Sequence, residues 1–411
     1  MKRNAFVAGG SALAAAATVP LPLRAATAPA TVKIGFLDSY SGVLSDIAGY
    51  HKIGANIALA EANARGRTKY EFVYGDDASK PAVGATEARR LIEQEKVDVM
   101  LFGTSSAVAL AIMPLTQAAN VFTVLIGPQD GSITSDHASL NTFRFAPNAA
   151  MFARVLGQRI LASGKKWSFI VEDYAFGRDS YARLSALLKR AGGTEVGADF
   201  THVGTSDFSS IFTKIRNTDT DQVVLCQGGL DVALAAKQFV DFGLQKKMKL
   251  AGMTLEDFYY KTLPLDELAG SVFAVIWTPT VSPSARALSA RLAKSIHGPI
   301  SYRHYMSYLT TKQLIDRIEA TGTTNAGKLV AAFRDHRFDA AKSDPAMWRG
   351  CDHQATQNVY AGTVVGAKRF AQTQYLFDVV GETSANDSAG SCAGPDAAAA
   401  TAAMAKQSLP A

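Results

Sequence analysis

Residues 32–63 contain the feature that most constrains the fold, a strand pattern followed by a loop and a helix pattern. An apolar run covers residues 32–37, and a loop rich in small residues covers 38–49. Apolar residues such as Ile53 and Ile57 then recur at helical spacing. In α/β proteins this order places ligand-binding groups at the carboxyl edge of a parallel sheet.

The same alternation continues through most of the chain. Strand patterns cover residues 70–74, 97–102, 121–126, 167–171, 223–226 and 272–277. Helix patterns cover residues 81–94, 107–119, 149–162, 179–191, 208–217 and 231–242. Residues 278–348 are mostly helical in pattern, and residues 359–380 are rich in strand patterns. This order predicts parallel sheets with helices on both faces and right-handed crossovers.

The first 28 residues have the composition of a secretory signal peptide. Basic residues at positions 2 and 3 precede an acid-free apolar run over residues 5–23, and small residues follow that run. A membrane anchor is the alternative, but two prolines interrupt the run and it is short for a spanning helix. We therefore predict a signal peptide over residues 1–28. The remaining chain of about 380 residues exceeds what one core usually holds, which favours two domains.

The charge of the chain does not indicate a nucleic-acid partner. The formal net charge is +6, and removal of Lys2, Arg3 and Arg24 with the leader lowers it to +3. The mature sequence has no block of lysine and arginine of the kind that follows a phosphate backbone. We therefore expect no nucleic-acid binding.

Three cysteines allow one disulfide and one free thiol in an oxidising compartment. Cys226 ends an apolar strand pattern, which suits a buried free thiol, whereas Cys351 and Cys392 lie in polar, loop-like surroundings. We predict a Cys351–Cys392 disulfide. Because cysteines are few and histidines are scattered, no metal-ligand spacing is present, and we expect neither a metal nor a cofactor.

Six motifs carry a family resemblance. They are IGFLDSYSGVLSDIAG (34–49), GDDASKPAVGATEARRLI (75–92), FGTSSAVALAIMPL (102–115), EDYAFGRDSYARL (172–184), THVGTSDFSSIFTKIR (201–216) and CDHQATQNVY (351–360). In this order they resemble the type I periplasmic solute-binding proteins of ABC importers, in the branched-chain amino-acid (leucine/isoleucine/valine) binding family. The resemblance covers nearly the whole mature chain.

This resemblance implies an α/β fold of two doubly wound parallel-sheet lobes joined by a three-crossing hinge, with the ligand in the cleft between them. Lobe one would combine residues 30–148 with 281–354, and lobe two would combine 149–280 with 355–385. Residues 386–411 are rich in Ala, Ser and Gly, and we expect them to form a poorly ordered tail.

On lobe one, the turn at Thr104, Ser105 and Ser106 follows a strand pattern and opens a helix pattern. Backbone N–H groups and short hydroxyls at a helix N-terminus bind anions, although Ser105 or Ser106 could instead be a helix cap. The resemblance implies that this turn holds the ligand carboxylate.

Two further loops of lobe one supply candidates. Gln129 and Asp130 follow the next strand pattern, and Asp130 could pair with an ammonium group or form a turn. Tyr40 and Ser41 in the first loop could form part of the cleft wall or lie at the surface.

On lobe two, the resemblance implies that Phe176, with Tyr174 nearby, covers the ligand, whereas core packing is the alternative. Gln227 could form a polar contact to the ligand. Leu230 stands where amino-acid binders frequently have an aromatic residue. Glu256 matches a region where an acidic residue contacts the ligand amine in some members.

The resemblance implies a monomeric periplasmic receptor that captures a small carboxylate, either an apolar amino acid or an aromatic acid. Its partners would be an ABC permease and the ATPase subunits of that importer. A ligand-sensing protein on the same fold that acts on a signalling partner is the alternative. We expect no enzyme, because the sequence has no GxSxG elbow, HExxH motif or Gly-rich phosphate loop.

Overall fold

The computed structural model describes residue 1 and residues 31–409. Apart from residue 1, the predicted signal peptide lies outside these described residues. The strands are β1 (Thr31–Asp38), β2 (Lys69–Asp76), β3 (Val99–Phe102), β4 (Phe122–Leu125), β5 (Thr142–Arg144), β6 (Lys166–Glu172), β7 (Thr194–Thr201), β8 (Gln222–Cys226), β9 (Lys249–Gly252), β10 (Val272–Val275), β11 (His336–Phe338), β12 (Ala346–Trp348), β13 (Ala355–Thr356), β14 (Val359–Val364) and β15 (Phe377–Thr383).

The α-helices alternate with these strands. They are α1 (Ser45–Ala64), α2 (Pro81–Arg89), α3 (Ser106–Ala118), α4 (Ala149–Ala162), α5 (Ala175–Arg190), α6 (Ser209–Arg216), α7 (Gly229–Asp241), α8 (Leu265–Leu268), α9 (Pro283–Leu292), α10 (Tyr302–Thr321), α11 (Ala326–Phe333), α12 (Ala367–Thr373), α13 (Ala385–Ala389) and α14 (Pro395–Met404). Within the described chain, none of these helices combines the length and apolar character needed to span a bilayer.

The first sheet has the strand order β2-β1-β3-β4-β5, and all of its strands are parallel. Side chains alternate between its faces, so Ile34 and Phe36 pack towards the layer of α1 and α10, whereas Leu37 packs towards α2 and α3. Because both faces are covered by helices, the strands are apolar on both sides. We call this sheet and its helices the first lobe.

The second sheet has the order β15-β14-β10-β9-β8-β6-β7. Phe169 and Val171 face α4 and α5, whereas Ile170 between them faces the layer of α6 and α7. The pairs among β6 to β10 are parallel, as predicted, and β14 adds two antiparallel pairs, one with β10 and one with β15. We call this sheet and its helices the second lobe.

The chain passes between the two lobes three times. It leaves the first sheet after β5, returns after β10 to build α9 and α10, and leaves again between β13 and β14. The predicted two-lobed α/β fold is confirmed. The predicted boundaries (30–148 with 281–354, and 149–280 with 355–385) remain a prediction. The strands of the two lobe sheets lie within them, whereas β13 (Ala355–Thr356) precedes the third crossing and falls in the second range.

The region predicted to be mostly helical, residues 278–348, also contains β11 and β12. These strands pair with β13 in a small antiparallel sheet. Each has only three residues, too few to produce a recognisable alternation of apolar and polar positions.

The C-terminal segment differs from the expected poorly ordered tail over residues 386–411. It contains α13 and α14, and the side chains of Ala400 and Met404 pack on Ala138 of the first lobe. The predicted disulfide between Cys351 and Cys392 is present, with a Cα–Cα distance of 6.0 Å, and Cys226 is a buried free thiol as predicted. The disulfide holds the segment against the body, which composition alone does not reveal.

Candidate functional site

A cavity lies between the two lobes, and the loops after β3, β4, β6, β8 and β9 form most of its wall. It is lined by Leu44, Ile47, Thr104, Ser105, Ser106, Gly127, Gln129, Tyr174, Phe176, Gly228, Gly229, Thr254 and Arg303. Its volume is only about 20 Å³. We call this narrow site the cleft cavity, and the carboxyl ends of parallel strands from both lobes meet there.

The turn between β3 and α3 forms one end of the cleft cavity. Ser105 caps α3, and its Oγ accepts a hydrogen bond from the Val108 N–H at 3.4 Å. Ser106 Oγ accepts two N–H groups of the loop at 129–130, at 3.0 and 3.2 Å. Within the described residues, the N–H groups of Ser106 and Ala107 have no acceptor. The turn therefore offers unpaired donors at a helix N-terminus, while both hydroxyls also hold the protein's own backbone.

Asp38 lies beneath this turn, is fully buried and accepts three hydrogen bonds. Its Oδ1 accepts the Ser39 N–H at 2.9 Å and the Thr104 hydroxyl at 2.8 Å, and its Oδ2 lies 2.9 Å from His51 Nδ1. Only glycine fits at position 103, because a Cβ there would lie 1.8 Å from the Asp38 carboxyl carbon. Asp38 thus fixes the position of Thr104 and of the turn that lines the cavity.

Asp77 is a second buried carboxyl beside this group. Its Oδ1 accepts the Ser39 hydroxyl at 2.6 Å and the Ser79 N–H at 2.7 Å, and its Oδ2 has no partner among the described residues. Burial, together with repulsion from Asp38, raises the pKa of Asp77 to about 7.

Replacing Asp77 by asparagine is expected to make the free energy of unfolding less dependent on pH. A carboxyl whose pKa rises from 3.8 to about 7 on folding stabilises the fold at acidic pH. That stabilisation is lost as the pH rises through about 7. The Asp77→Asn variant should therefore gain stability relative to the parent on going from pH 5 to pH 8. Urea unfolding at pH 5 and pH 8 measures the difference in the free energy of unfolding between variant and parent. The same difference at both pH values would contradict this prediction.

Gln129 and Asp130 have different environments. The Gln129 side chain lines the cleft cavity, is buried, and its Nε2 has no partner among the described residues. Asp130 does not line the cavity, and its Oδ1 accepts the Ser132 N–H at 2.8 Å at the start of a short 3₁₀ turn. Asp130 could either pair with an ammonium group or form a turn, and in the structure it forms a turn.

Arg303 is the charged residue of the cavity wall, and it was not among the predicted site residues. It lies in the first turn of α10 and forms a buried ion pair with Glu256, which follows β9 of the second lobe. Arg303 Nε donates to Glu256 Oε2 at 3.0 Å, and Nη2 donates to Oε1 at 2.5 Å. The Tyr302 hydroxyl also donates to Oε2, at 2.7 Å.

The third nitrogen of this guanidinium, Nη1, is buried and has no partner among the described residues. It lies beside Gly127, since a Cβ at Gly127 would be 3.1 Å from it. Arg303 therefore presents an unpaired charged donor at the cavity wall, while Glu256, predicted to contact a ligand amine, lies behind it and is fully engaged. The sequence contains one signal that points to Arg303. A basic residue in the first turn of a helix lies at the positive end of the helix dipole, where it is unfavourable, so its presence there suggests another role.

The second lobe supplies the aromatic wall. Phe176 is buried and lines the cavity with Tyr174, and the two rings meet edge to face with centroids 6.1 Å apart. Gly228 also lines the cavity, and its N–H donates to Glu172 Oε2 at 2.9 Å. Burial raises the pKa of Glu172 to about 8. This wall offers apolar ring surface close to the polar turn of the first lobe.

Six predicted site residues do not line the cleft cavity: Asp130 and Glu256, described above, and four others. Tyr40 packs edge to face on Tyr74, and Ser41 is exposed. Leu230 is 40% exposed, because the neighbouring Gly228 and Gly229 take the lining positions. Gln227 is fully buried behind them, and neither polar atom of its side chain has a partner among the described residues.

Three lining side chains besides that of Arg303 lie outside the predicted set. Leu44 and Ile47 lie at the start of α1, and Thr254 follows β9. The sequence does contain a signal for Leu44 and Ile47, because they are apolar residues in a loop (38–49) that is otherwise small and polar. Residues 31–409 contain no group of three or more His, Cys, Asp or Glu side chains that could hold a metal ion.

The family model described as periplasmic binding protein matches residues 31–369. Leu/Ile/Val-binding protein homolog 3 of Brucella melitensis is 25% identical over 327 residues, which cover 78% of this chain and 87% of that protein. A periplasmic binding protein from Burkholderia mallei superposes with a TM-score of 0.80 at 24% identity, covering 87% of this chain and 96% of that chain.

A solute-binding protein of an ABC transporter from Rhodopseudomonas palustris, in complex with 3,4-dihydroxybenzoic acid, superposes with a TM-score of 0.79. It is 20% identical, and the match covers 88% of this chain and 99% of that chain. The fold and its interlobe cavity thus define the class of two-lobed solute-binding proteins. The chain belongs to the periplasmic binding protein family, in its type I branched-chain amino-acid binding branch, whose members are solute-binding receptors. The predicted family is confirmed.

Proposed function

We propose that this protein is a periplasmic receptor for a small aromatic or apolar carboxylate without an α-ammonium group, which it delivers to an ABC importer. The observation that carries the proposal is the buried pair of Arg303 and Glu256. It leaves a positive group at the cavity wall and removes the carboxylate that would pair with an amine.

The unpaired groups of the cleft cavity are hydrogen-bond donors. They are the N–H groups at the start of α3, Nη1 of Arg303 and Nε2 of Gln129. A carboxylate has two oxygens that accept from such donors, and a charged hydrogen bond is stronger than a neutral one. A carboxylate placed at the turn would therefore satisfy groups that are otherwise costly to bury.

An ammonium group would find no acidic partner in the same cavity. No Asp or Glu side chain is among the described residues that line it. Both oxygens of Glu256 accept hydrogen bonds from Arg303 or Tyr302, so Glu256 has its charge compensated. Burying an unpaired ammonium group is costly, which disfavours free amino acids as ligands.

The remaining wall suits a ring or a branched apolar group. Phe176, Tyr174 and Ile47 supply ring and aliphatic surface opposite the turn. The structural similarity to a protein that holds 3,4-dihydroxybenzoic acid is consistent with an aromatic acid in such a cleft. Both lobes line the cavity, so a ligand that contacts both would hold them together; because the free volume is only about 20 Å³, the lobes would first have to move apart to admit a ring.

The proposal includes the route and the partners of the receptor. The predicted signal peptide would direct the chain to the periplasm, where an ABC permease and its ATPase subunits would accept the ligand from the closed form. We propose a monomer without enzymatic activity.

Thermal unfolding of the mature chain with a panel of solutes tests the proposal. Benzoate, 4-hydroxybenzoate and phenylacetate should raise Tm by several degrees, because a ligand at about 100 times its Kd stabilises the native state by about 2.7 kcal/mol. Leucine, valine and phenylalanine should leave Tm unchanged. Benzamide, which has the ring without the charge, is the matched control. Stabilisation by leucine or valine, but not by benzoate, 4-hydroxybenzoate or phenylacetate, would contradict the proposal.

A further inference from the structure

A second opening between the lobes lies near the chain crossing after β10; its volume is about 590 Å³, far more than that of the cleft cavity. The first lobe contributes Tyr50 and His304 to its wall, the second lobe contributes Phe258 and Lys261, and Trp277 stands at the crossing. We call it the hinge-side cavity. We propose that it is a second ligand site, which takes a bicyclic aromatic carboxylate.

The hinge-side cavity is separate from the cleft cavity, because no described residue lines both. The wall between them contains the Arg303–Glu256 pair and the side chain of Asp257. Asp257 accepts the Ser301 hydroxyl at 2.5 Å and the Tyr302 N–H at 2.9 Å, so both of its oxygens are engaged at the start of α10. A ligand in one cavity would therefore contact different side chains from a ligand in the other.

His304 supplies a directional polar group to the hinge-side cavity. The side chain is buried, and its Nδ1 accepts the Ser301 N–H at 3.2 Å, which assigns the proton of the neutral ring to Nε2. Burial lowers the pKa of His304 to about 4, so the ring is neutral at pH 7. His304 lines the cavity, and its Nε2 atom has no hydrogen-bond partner within the described chain. A ligand oxygen would satisfy this donor.

Lys261 supplies the charge. It is exposed at the cavity rim, and among the described residues its ammonium group forms no ion pair. The carboxylate of Asp257, which also lines the cavity, is held by Ser301 and Tyr302 as described above. The Lys261 ammonium group lies 5.8 Å from the centre of the Tyr260 ring but has no carboxylate partner among the described residues. Together with the neutral donor, it selects an anion with an acceptor oxygen.

The shape and composition of the cavity select the aromatic part of the ligand. The rings of Tyr50 and Phe258 stack with centroids 4.1 Å apart and an interplanar angle of 13°. Tyr260 and Phe377 add further ring surface to the lining. Flat apolar groups pack favourably on such surfaces, and about 590 Å³ is ample for two fused rings.

Titration of the mature full chain with 2-naphthoate, followed by tryptophan fluorescence, to which Trp277 at the cavity contributes, and by calorimetry, tests the proposal. One equivalent should bind in the presence of saturating benzoate. Lys261→Ala should weaken this binding about two- to fivefold, as expected for an exposed charge. His304→Phe should weaken it about tenfold or more, because it keeps a ring and removes the Nε2–H donor. Lys247→Ala, at an exposed lysine of the same lobe, is the matched control and should have no effect.

Absence of naphthoate binding would overturn the proposal. So would binding that benzoate displaces and that Lys261→Ala leaves unchanged, because this pattern places naphthoate in the cleft cavity. If His304→Phe does not fold, Lys261→Ala with its control still decides between the outcomes. Loss of benzoate binding with retention of naphthoate binding would contradict the proposed function alone.

Discussion

Replacing Arg303 by methionine is expected to weaken benzoate binding by about 10- to 100-fold and to destabilise the fold by about 3–5 kcal/mol. The first effect follows because a hydrogen bond to a charged group contributes about 1.5–3 kcal/mol. The second follows because Glu256 is fully buried and would lose its counterion and two of its hydrogen bonds. Calorimetric titration measures the affinity, and urea unfolding measures the stability.

The double variant Arg303→Met with Glu256→Gln separates these two effects. Removing both charges takes away the unpaired carboxylate, so most of the lost stability should return. The amide introduced by Glu256→Gln keeps an oxygen that accepts the Tyr302 hydroxyl. Benzoate affinity should stay low, because Nη1 of Arg303 is still missing. If affinity returned together with stability, Arg303 would be a structural residue and not a ligand contact.

Replacing Asp38 by alanine is expected to lower the free energy of unfolding by about 3 kcal/mol or more. The substitution leaves the Ser39 N–H, the Thr104 hydroxyl and the His51 ring without their buried acceptor. Each unsatisfied buried donor costs about 1–3 kcal/mol. Because Thr104 is no longer held, the turn before α3 should also lose its geometry, and benzoate affinity should fall in the same variant.

Asp38→Asn is the matched control for this prediction. Its amide oxygen can still accept from Ser39 and Thr104, and its volume is unchanged, so most of the stability and affinity should remain. Urea unfolding and benzoate titration of both variants provide the comparison. Equal losses in the two variants would show that the negative charge, and not the set of hydrogen bonds, holds the turn.

The layers of the fold could be predicted because local patterns determine them. Most strands of the two sheets are apolar runs next to helix patterns, and this order indicates doubly wound sheets, whereas β7 (TEVGADFT) is not an apolar run and was missed. The hairpin of β11 and β12 was missed because three-residue strands show no periodicity. The tail was misjudged because a high alanine content suits either a packed helix or a disordered chain. The Cys351–Cys392 disulfide and the packing on Ala138 favour the helix here.

The candidate site was predictable in part for the same reason. The turn at 104–106 is a local motif between a strand and a helix; its pattern left a helix cap as the alternative, the family resemblance favoured a place in the site, and its residues line the cavity. Arg303 was missed, because its place in the site depends on pairing with Glu256, 47 residues away and on the other lobe, and a basic residue in the first turn of a helix does not by itself reveal that pairing. Contacts of this kind follow from how the lobes meet, and a sequence pattern does not contain that information.

The central claim is that the ligand is a carboxylate without an α-ammonium group. Calorimetric titration of the mature chain with 3-phenylpropionate and with phenylalanine tests it most directly, because the two molecules differ only in that group. We expect 3-phenylpropionate to bind and phenylalanine to bind at least about 100-fold more weakly, since its ammonium group would be buried without a partner. Equal or tighter binding of phenylalanine would contradict the claim.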